Sequence, residues 1–148
     1  METDAIKWFT GENRWLSNFY WVDVSYDGEV YPSTEHAYQA SKTLDKDERI
    51  KVKNARTFTE SKRLGYKVPL REDWEEVKLG VMFDLVYQKF NENNHLKKLL
   101  LGTGDKILFE MNTWGDLYWG VDLSGKGENK LGIILMNVRK RLREQENT

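Results

Sequence analysis

The chain has 148 residues, with 23 Lys and Arg against 24 Asp and Glu, and a net charge of −1 with His neutral. That length suits one domain, and a domain of this size buries roughly 70% of its unfolded surface without a covalent staple. Balanced, interspersed charges weigh against a general nucleic-acid coat or a polybasic membrane binder, both of which need a net basic field.

The chain has no Cys, which excludes disulfides, thiolate nucleophiles and Cys-ligated zinc. Two His residues, His36 and His95, are too few for a His-rich metal site, which leaves only a carboxylate site for magnesium or calcium open, and no cofactor is expected. A hydrophobic content of 39% with six Trp argues against a disordered polymer. No apolar run approaches the roughly 20 residues of a membrane span. The start, METDAIKWF, lacks a basic segment followed by a long apolar one, so neither a secretory leader nor a membrane association is expected. The expectation is a single cytoplasmic domain over residues 1–148.

In chain order, Ile6–Phe9 reads as a strand. Phe19–Tyr26 and Glu29–Tyr31 flank Asp27-Gly28, a dipeptide that favours a tight hairpin turn. Ser33 follows Pro32 and precedes a helical pattern, which makes it an N-cap candidate for a helix over 34–44. Two shorter helices are expected at 46–55 and 59–65, the second closed by Gly65. Asp73–Asn93 is the longest periodic segment, with Trp74, Val77, Val81 and Leu85 in one stripe widened by Met82, Val86 and Phe90. Gly80 inside it predicts a close approach by a neighbour. His95–Leu101 reads as a short helix ending at Gly102, and Lys106–Glu110 as a strand. The last helix is expected over Lys130–Arg143, with Leu131, Ile134, Leu135, Val138 and Leu142 inward and Arg139, Lys140 and Arg143 outward. Helices dominate and strands do not alternate with them as in βαβ units. The predicted class is α+β: a mostly helical domain with a small antiparallel sheet.

Four segments hold the residue types of a site. On the helix after Ser33, Glu35, Tyr38, Gln39 and Lys42 follow the i, i+3, i+4, i+7 spacing of one face. Ala37, Ala40, Ser41 and Leu44 form a second, small face suited to close packing. Glu35 and Lys42 lie about 10 Å apart along the axis, a span that can flank a sugar. The competing reading is a solvated polar face. His36 lies off that face and reads as a structural histidine.

Glu110 to Gly120 places Glu110 and Asp116, an amide and two indoles in eleven residues. Two carboxylates in different environments can serve as acid and base, and an indole face can stack on a base. The competing reading is a turn in which Asp and Asn cap the local backbone. Gly125 to Gly132 is a glycine-rich turn opening a helix, which suits a phosphate through free N–H groups and the helix dipole. A simple N-cap loop is the alternative there, since neither a Walker loop nor a dinucleotide fingerprint is present. Ser17 and Asn18, set among aromatic and apolar residues, either satisfy buried backbone or line a pocket.

Together these segments resemble the NADAR (YbiA-like) family. The resemblance is carried by Trp15-Leu16-Ser17-Asn18-Phe19-Tyr20 and by Ser33-Thr34-Glu35-His36-Ala37-Tyr38-Gln39-Ala40-Ser41-Lys42. It continues through Asp73-Trp74, Val81-Met82, Lys89-Phe90, Leu99-Leu100, Thr103-Gly104, Glu110, Asp116, Trp119-Gly120 and Gly125 to Gly132. An insertion-like Thr113-Trp114-Gly115 departs from the pattern.

The resemblance implies a YbiA-like fold and N-glycosidase activity on the bond between ribose C1 and a base. Two substrate classes follow from it: phosphorylated ribosylaminopyrimidines of riboflavin synthesis, and ADP-ribose attached to guanine in nucleic acid. It further implies a Schiff base between the opened ribose and Lys42, with Glu35, Glu110 or Asp116 protonating the leaving base. Ser17, Asn18, Phe19, Tyr38, Gln39, Trp119, Gly127 and Asn129 are then the expected substrate contacts, with Ser17, Asn18 and Asn129 on ribose hydroxyls and the Gly127 loop on phosphate. Trp74 is expected in the core. The scheme calls for no metal and no obligate protein partner. The alternative is a binding module that holds NAD, ADP-ribose or a related nucleotide without turnover.

Overall fold

The computed structural model describes residues 4–147. The elements in order are β1 (Ala5–Ile6), a 3-10 turn (Gly11–Leu16), β2 (Trp21–Tyr26), β3 (Glu29–Ser33), α1 (Thr34–Ser41), α2 (Lys46–Lys53), α3 (Phe58–Lys67), α4 (Trp74–Asn91), α5 (Asn94–Gly102), β4 (Ile107–Leu108) and α6 (Lys130–Glu146). The class is α+β, mostly helical with a small antiparallel sheet. The chain gathers into two compact units: residues 18–89, and the two chain ends up to residue 17 and from residue 90. No helix among the described residues is long and apolar enough to cross a membrane.

In the 18–89 unit, β2 and β3 form the expected antiparallel hairpin, with Tyr26 opposite Glu29 and Ser25 opposite Val30. Asp27 and Gly28 both take positive φ, 54° and 86°. That backbone matches the twist of the strands, and it is why an Asp-Gly pair sits there. Ser33 caps α1 as predicted, its Oγ accepting from the His36 N–H at 3.1 Å. The helix stops at Ser41 rather than 44, and Leu44, expected on the packed face, is 63% exposed.

Asp45 starts α2 by accepting the Asp47 and Glu48 N–H groups, and Thr57 starts α3 by accepting that of Glu60. Gly65 does not close α3. It is buried inside the helix, where the Gln39 side chain from α1 lies against its backbone and leaves no room for a Cβ. Gly80 on α4 also departs from expectation: it is exposed and nothing approaches it. Trp74, Met82, Leu85 and Val86 are buried as the stripe predicts.

In the other unit, β1 and β4 pair in parallel, Ala5 with Ile107 and Ile6 with Leu108, so both strands are shorter than their sequence patterns. α6 buries Leu131, Ile134, Leu135, Val138 and Leu142. Each such side chain contributes about 1.5–3 kcal/mol by leaving water. Arg139 is not on the solvent side. It is buried, and its Nη1 donates to Thr103 Oγ1 and to the Lys106 carbonyl, each at 2.9 Å. The polar end of this side chain satisfies the turn between α5 and β4 while its stem packs among the leucines.

Candidate active site

All eight residues of α1 are buried. The polar face is therefore not a solvated one. Glu35, Tyr38 and Gln39 are only 5–7% exposed. Burying polar groups costs free energy unless they are paired, and two of these side chains pair with each other. Gln39 Nε2 donates to Glu35 Oε2 at 2.6 Å. The Glu35 N–H donates to the Asn18 carbonyl at 3.1 Å, so the segment before β2 caps the start of α1. Asn18 itself is buried, its Nδ2 3.4 Å from Met82 Sδ.

Lys42 occupies the first turn beyond α1 and is half-buried. Its Nζ lies 5.6 Å from the centre of the Tyr38 ring and 5.3 Å from that of Tyr66 on α3. Burial holds the amine below the ordinary lysine range. The Glu35 carboxylate opposes that shift, and the Lys62 and Lys78 ammonium groups add to it. An amine in that state has a larger neutral, nucleophilic fraction near neutral pH.

His36 is fully buried. Its Nε2 lies 3.0 Å from the Ala55 carbonyl and its Nδ1 2.7 Å from Ser33 Oγ. A carbonyl only accepts, so Nε2 carries the proton and Nδ1 receives the Ser33 hydroxyl. Burial lowers the ring's basicity and keeps it neutral. This is the structural histidine that the sequence predicts. Phe19 stacks on Phe58 at 4.8 Å, with Lys62 Nζ 5.6 Å from the Phe19 ring. Trp74 is core, as expected, and packs on the Tyr38 ring at 5.3 Å.

Thus Glu35, Tyr38, Gln39 and Lys42 come together with Asn18 and Phe19 in the 18–89 unit. Ser17, Glu110, Asp116, Trp119, Gly127 and Asn129 belong to the other unit. There, Asp116 behaves as a turn residue. Its Oδ1 accepts the N–H groups of Tyr118 and Trp119, and the Asn112 amide grips the Asp116 backbone at both its N–H and its carbonyl. Trp119 is half-buried, edge-on to Tyr118 at 4.9 Å. The Glu110 side chain is half-buried, and its backbone is held by Val121 and by Asn129. Ser17 is half-buried and closes the 3-10 turn through its N–H to Arg14.

The glycine-rich loop does open α6, but its donors are not arranged as a phosphate cradle. The N–H groups of Ser124, Gly125 and Lys126 all donate to Asp122, and those of Glu128, Asn129, Lys130 and Leu131 donate to carbonyls between Leu117 and Gly120. Gly127, at φ 143°, lies so close to Gly120 and Val121 that a side chain does not fit. Asn129 takes φ 52°, and its buried amide serves the backbone. Nδ2 donates to the Leu108 carbonyl at 2.9 Å and Oδ1 accepts from the Glu110 N–H at 3.0 Å. The alternative of a built N-terminal loop describes this segment better than a phosphate site.

The model of the NADAR domain matches residues 7–143. The chain belongs to the NADAR family. This NADAR chain is 38% identical over 129 residues to the N-glycosidase YbiA of Escherichia coli (strain K12), covering 86% of this chain and 80% of that protein. It is 40% identical over 131 residues to a riboflavin biosynthesis protein of Vibrio vulnificus (strain YJ016), covering 87% of this chain and 35% of that longer one. The NMR structure of E. coli YbiA superimposes with a TM-score of 0.84 at 34% identity, over 99% of this chain and 89% of that one.

Three residues of this NADAR chain are less legible in its sequence. Tyr66 is 82% exposed, yet its ring stands beside Lys42. Lys62 lies one helical turn earlier. The signal was the Phe58, Lys62, Tyr66 spacing of four, which puts an aromatic–cation row along α3. Lys89 is fully buried near the end of α4, with its Nζ 5.5 Å from the Tyr20 ring, and burial pushes its amine down to about 7. It follows Met82 and Val86 at i+7 and i+3, on the apolar stripe, where a lysine stands out.

Proposed function

We propose that this protein is an N-glycosidase that hydrolyses the ribose C1–N bond of a ribosylated or ADP-ribosylated base, with Lys42 as the nucleophile. The observation that carries the reading is Lys42 itself: a half-buried amine with lowered basicity, held by a buried helix whose nearest carboxylate along the same face is Glu35. The names of the relatives support the reaction class, since YbiA is an N-glycosidase.

In this reading the neutral Nζ attacks C1, and the C1–N pair departs with the base. Glu35 takes the proton lost by the new C–N bond and passes it to the leaving nitrogen. The Nζ lone pair then opens the C1–O4′ bond, the remaining Nζ proton passes to O4′, and a neutral Schiff base stands at C1. Water adds to C1 and the C1–Nζ bond breaks, which returns free lysine and releases ribose phosphate or ADP-ribose, according to the substrate. The sum is one water consumed and one N-glycosyl bond cleaved. The buried Tyr38 ring and the exposed Tyr66 ring flank the amine, 5.6 and 5.3 Å away at their centres. Gln39 orients Glu35. Asn18 and Phe19 are proposed on the substrate side of α1. Glu110 and Asp116 stand as second candidates for the proton donor, and Ser17, Trp119, Gly127 and Asn129 as second candidates for substrate contacts.

The substrate is proposed to be a nucleotide-like ribosylamine, either a phosphorylated ribosylaminopyrimidine or ADP-ribosyl-guanine in a nucleic acid. The riboflavin-biosynthesis name of the Vibrio relative supports the first. A pure reader of nucleotides has no use for a partly desolvated amine that shares a helix face with a buried carboxylate, which favours turnover over binding alone. The test is a parallel assay of both substrates for release of free base. Release from either supports the reading, and tight binding with no release from either overturns it.

A further inference from the structure

We propose that Arg71, backed by Arg49, is a positioning residue that clamps the carbonyl end of α1 and so fixes where the Lys42 amine stands. The inference rests on the reading of Lys42 as nucleophile. A helix leaves its last carbonyls without partners inside the helix, and α1 has no basic residue in its last turn to meet them. The carbonyls of Tyr38, Gln39 and Ala40 are met locally, and two distant arginines meet the carbonyls of Ser41 and of the two residues just beyond the helix. Arg71 donates its backbone N–H to the Lys42 carbonyl at 2.8 Å and its Nη1 to the Ser41 carbonyl at 3.4 Å. Arg49 donates its Nε to the Thr43 carbonyl at 2.7 Å. Three successive carbonyls, centred on Lys42, are thus held from outside the helix.

Both guanidiniums are themselves anchored. Arg49 is 6% exposed, pairs with Asp27 at 2.8 Å and lies over the Tyr26 ring at 5.1 Å. Arg71 forks onto both oxygens of Asp73 and reaches the Tyr26 hydroxyl at 3.1 Å. Tyr26 therefore touches both arginines and ties the hairpin turn to the end of α1. This frame holds the Lys42 backbone against several elements at once. A reacting group gains most from such a fixed origin, because a displacement of about 1 Å can cost on the order of a hundredfold in rate.

Two measurements test the guanidinium part of the clamp on the full chain, with Arg71→Met, which removes the bonds to Ser41 and Tyr26 and keeps the backbone N–H on the Lys42 carbonyl, and the milder Tyr26→Phe beside wild type. The first is competitive acetylation of lysines by acetic anhydride across pH, read by peptide mass spectrometry. In wild type Lys42 is expected to acylate with a titration below that of the surface lysines. The groups that act on it are Glu35, Lys62 and Lys78, with the Tyr38 and Tyr66 rings beside it, and all are retained in both variants. Arg71→Met is expected to move the Lys42 titration toward the surface lysines, and Tyr26→Phe to move it part of the way, with thermal unfolding still cooperative. An unchanged Lys42 titration in both variants overturns the clamp.

The second measurement is steady-state kcat and KM on whichever of the two substrates wild type cleaves. A loss of roughly tenfold or more in kcat for Arg71→Met, with KM little changed, is expected of a displaced nucleophile. A rise in KM with kcat unchanged contradicts it. If wild type cleaves neither substrate, the proposed function fails, and the acetylation comparison still decides the clamp.

Discussion

Gln39 donates to Glu35 across one turn of α1, Nε2 to Oε2 at 2.6 Å, and the other end of the same amide is pressed against Gly65 on α3. The amide thus spans from the candidate acid to the backbone of a neighbouring helix. Its Oε1 is buried with no hydrogen-bond partner, so packing against the glycine holds it in place.

That arrangement gives Gly65→Ala an unusual sign. In an exposed helix interior the change stabilises by about 1 kcal/mol. Here the new methyl collides with the Gln39 side chain, and overpacking of this kind costs about 1–3 kcal/mol. Urea unfolding is expected to show net destabilisation. Activity is expected to fall further than stability accounts for, because Glu35 loses its partner. A stabilised, fully active Gly65→Ala variant contradicts the role given to Gln39.

Lys89 sets a pH dependence of stability. Its amine titrates near 7 in the folded chain and near 10.4 when unfolded. Between those values the unfolded state binds more protons, so stability rises with pH across that window, and the full penalty is present below it. Lys89→Met is expected to stabilise the fold most at or below pH 7 and progressively less toward pH 10. Unfolding free energies measured at both ends check this. A gain independent of pH shows that Lys89 is not buried as a strained cation.

Asn129 is expected to matter for folding first. Asn129→Ala removes one donor and one acceptor that serve buried backbone, at the Leu108 carbonyl and the Glu110 N–H. Each group left unmet costs about 1–3 kcal/mol. Thermal unfolding is expected to drop accordingly, whereas a direct role on substrate predicts lost activity at normal stability.

The hairpin, the Ser33 cap and the apolar face of α6 were legible because each is a local signal. Asp27-Gly28 sets its own φ values, Ser33 reaches only three residues on, and Leu131 to Leu142 repeat at helical spacing. The burial of α1 was not legible. Glu35, Tyr38 and Gln39 have the spacing of a solvated face, and what buries them comes from residues far along the chain, such as Gly65. The end of α1 escaped for the same reason, since the carbonyls of Ser41, Lys42 and Thr43 are met by Arg71 and Arg49 from elsewhere in the chain. Arg139 read as solvent-facing because its charge hides a long apolar stem. The glycine-rich loop read as a phosphate site because the spacing of glycines does not reveal that Asp122 and the carbonyls near Trp119 already take its N–H groups.

The most direct test is reductive trapping. Borohydride added during turnover of a ribosylated base is expected to leave a ribosyl adduct on Lys42 of the wild-type chain, located by peptide mass spectrometry, with turnover rising as pH is raised toward a value below that of free lysine. Lys42→Arg keeps the positive charge but has no amine that can form an imine. It is expected to lose both adduct and turnover while keeping the fold. An active Lys42→Arg variant, with no adduct trapped on wild type, contradicts the covalent mechanism and leaves a direct hydrolysis led by a carboxylate in its place.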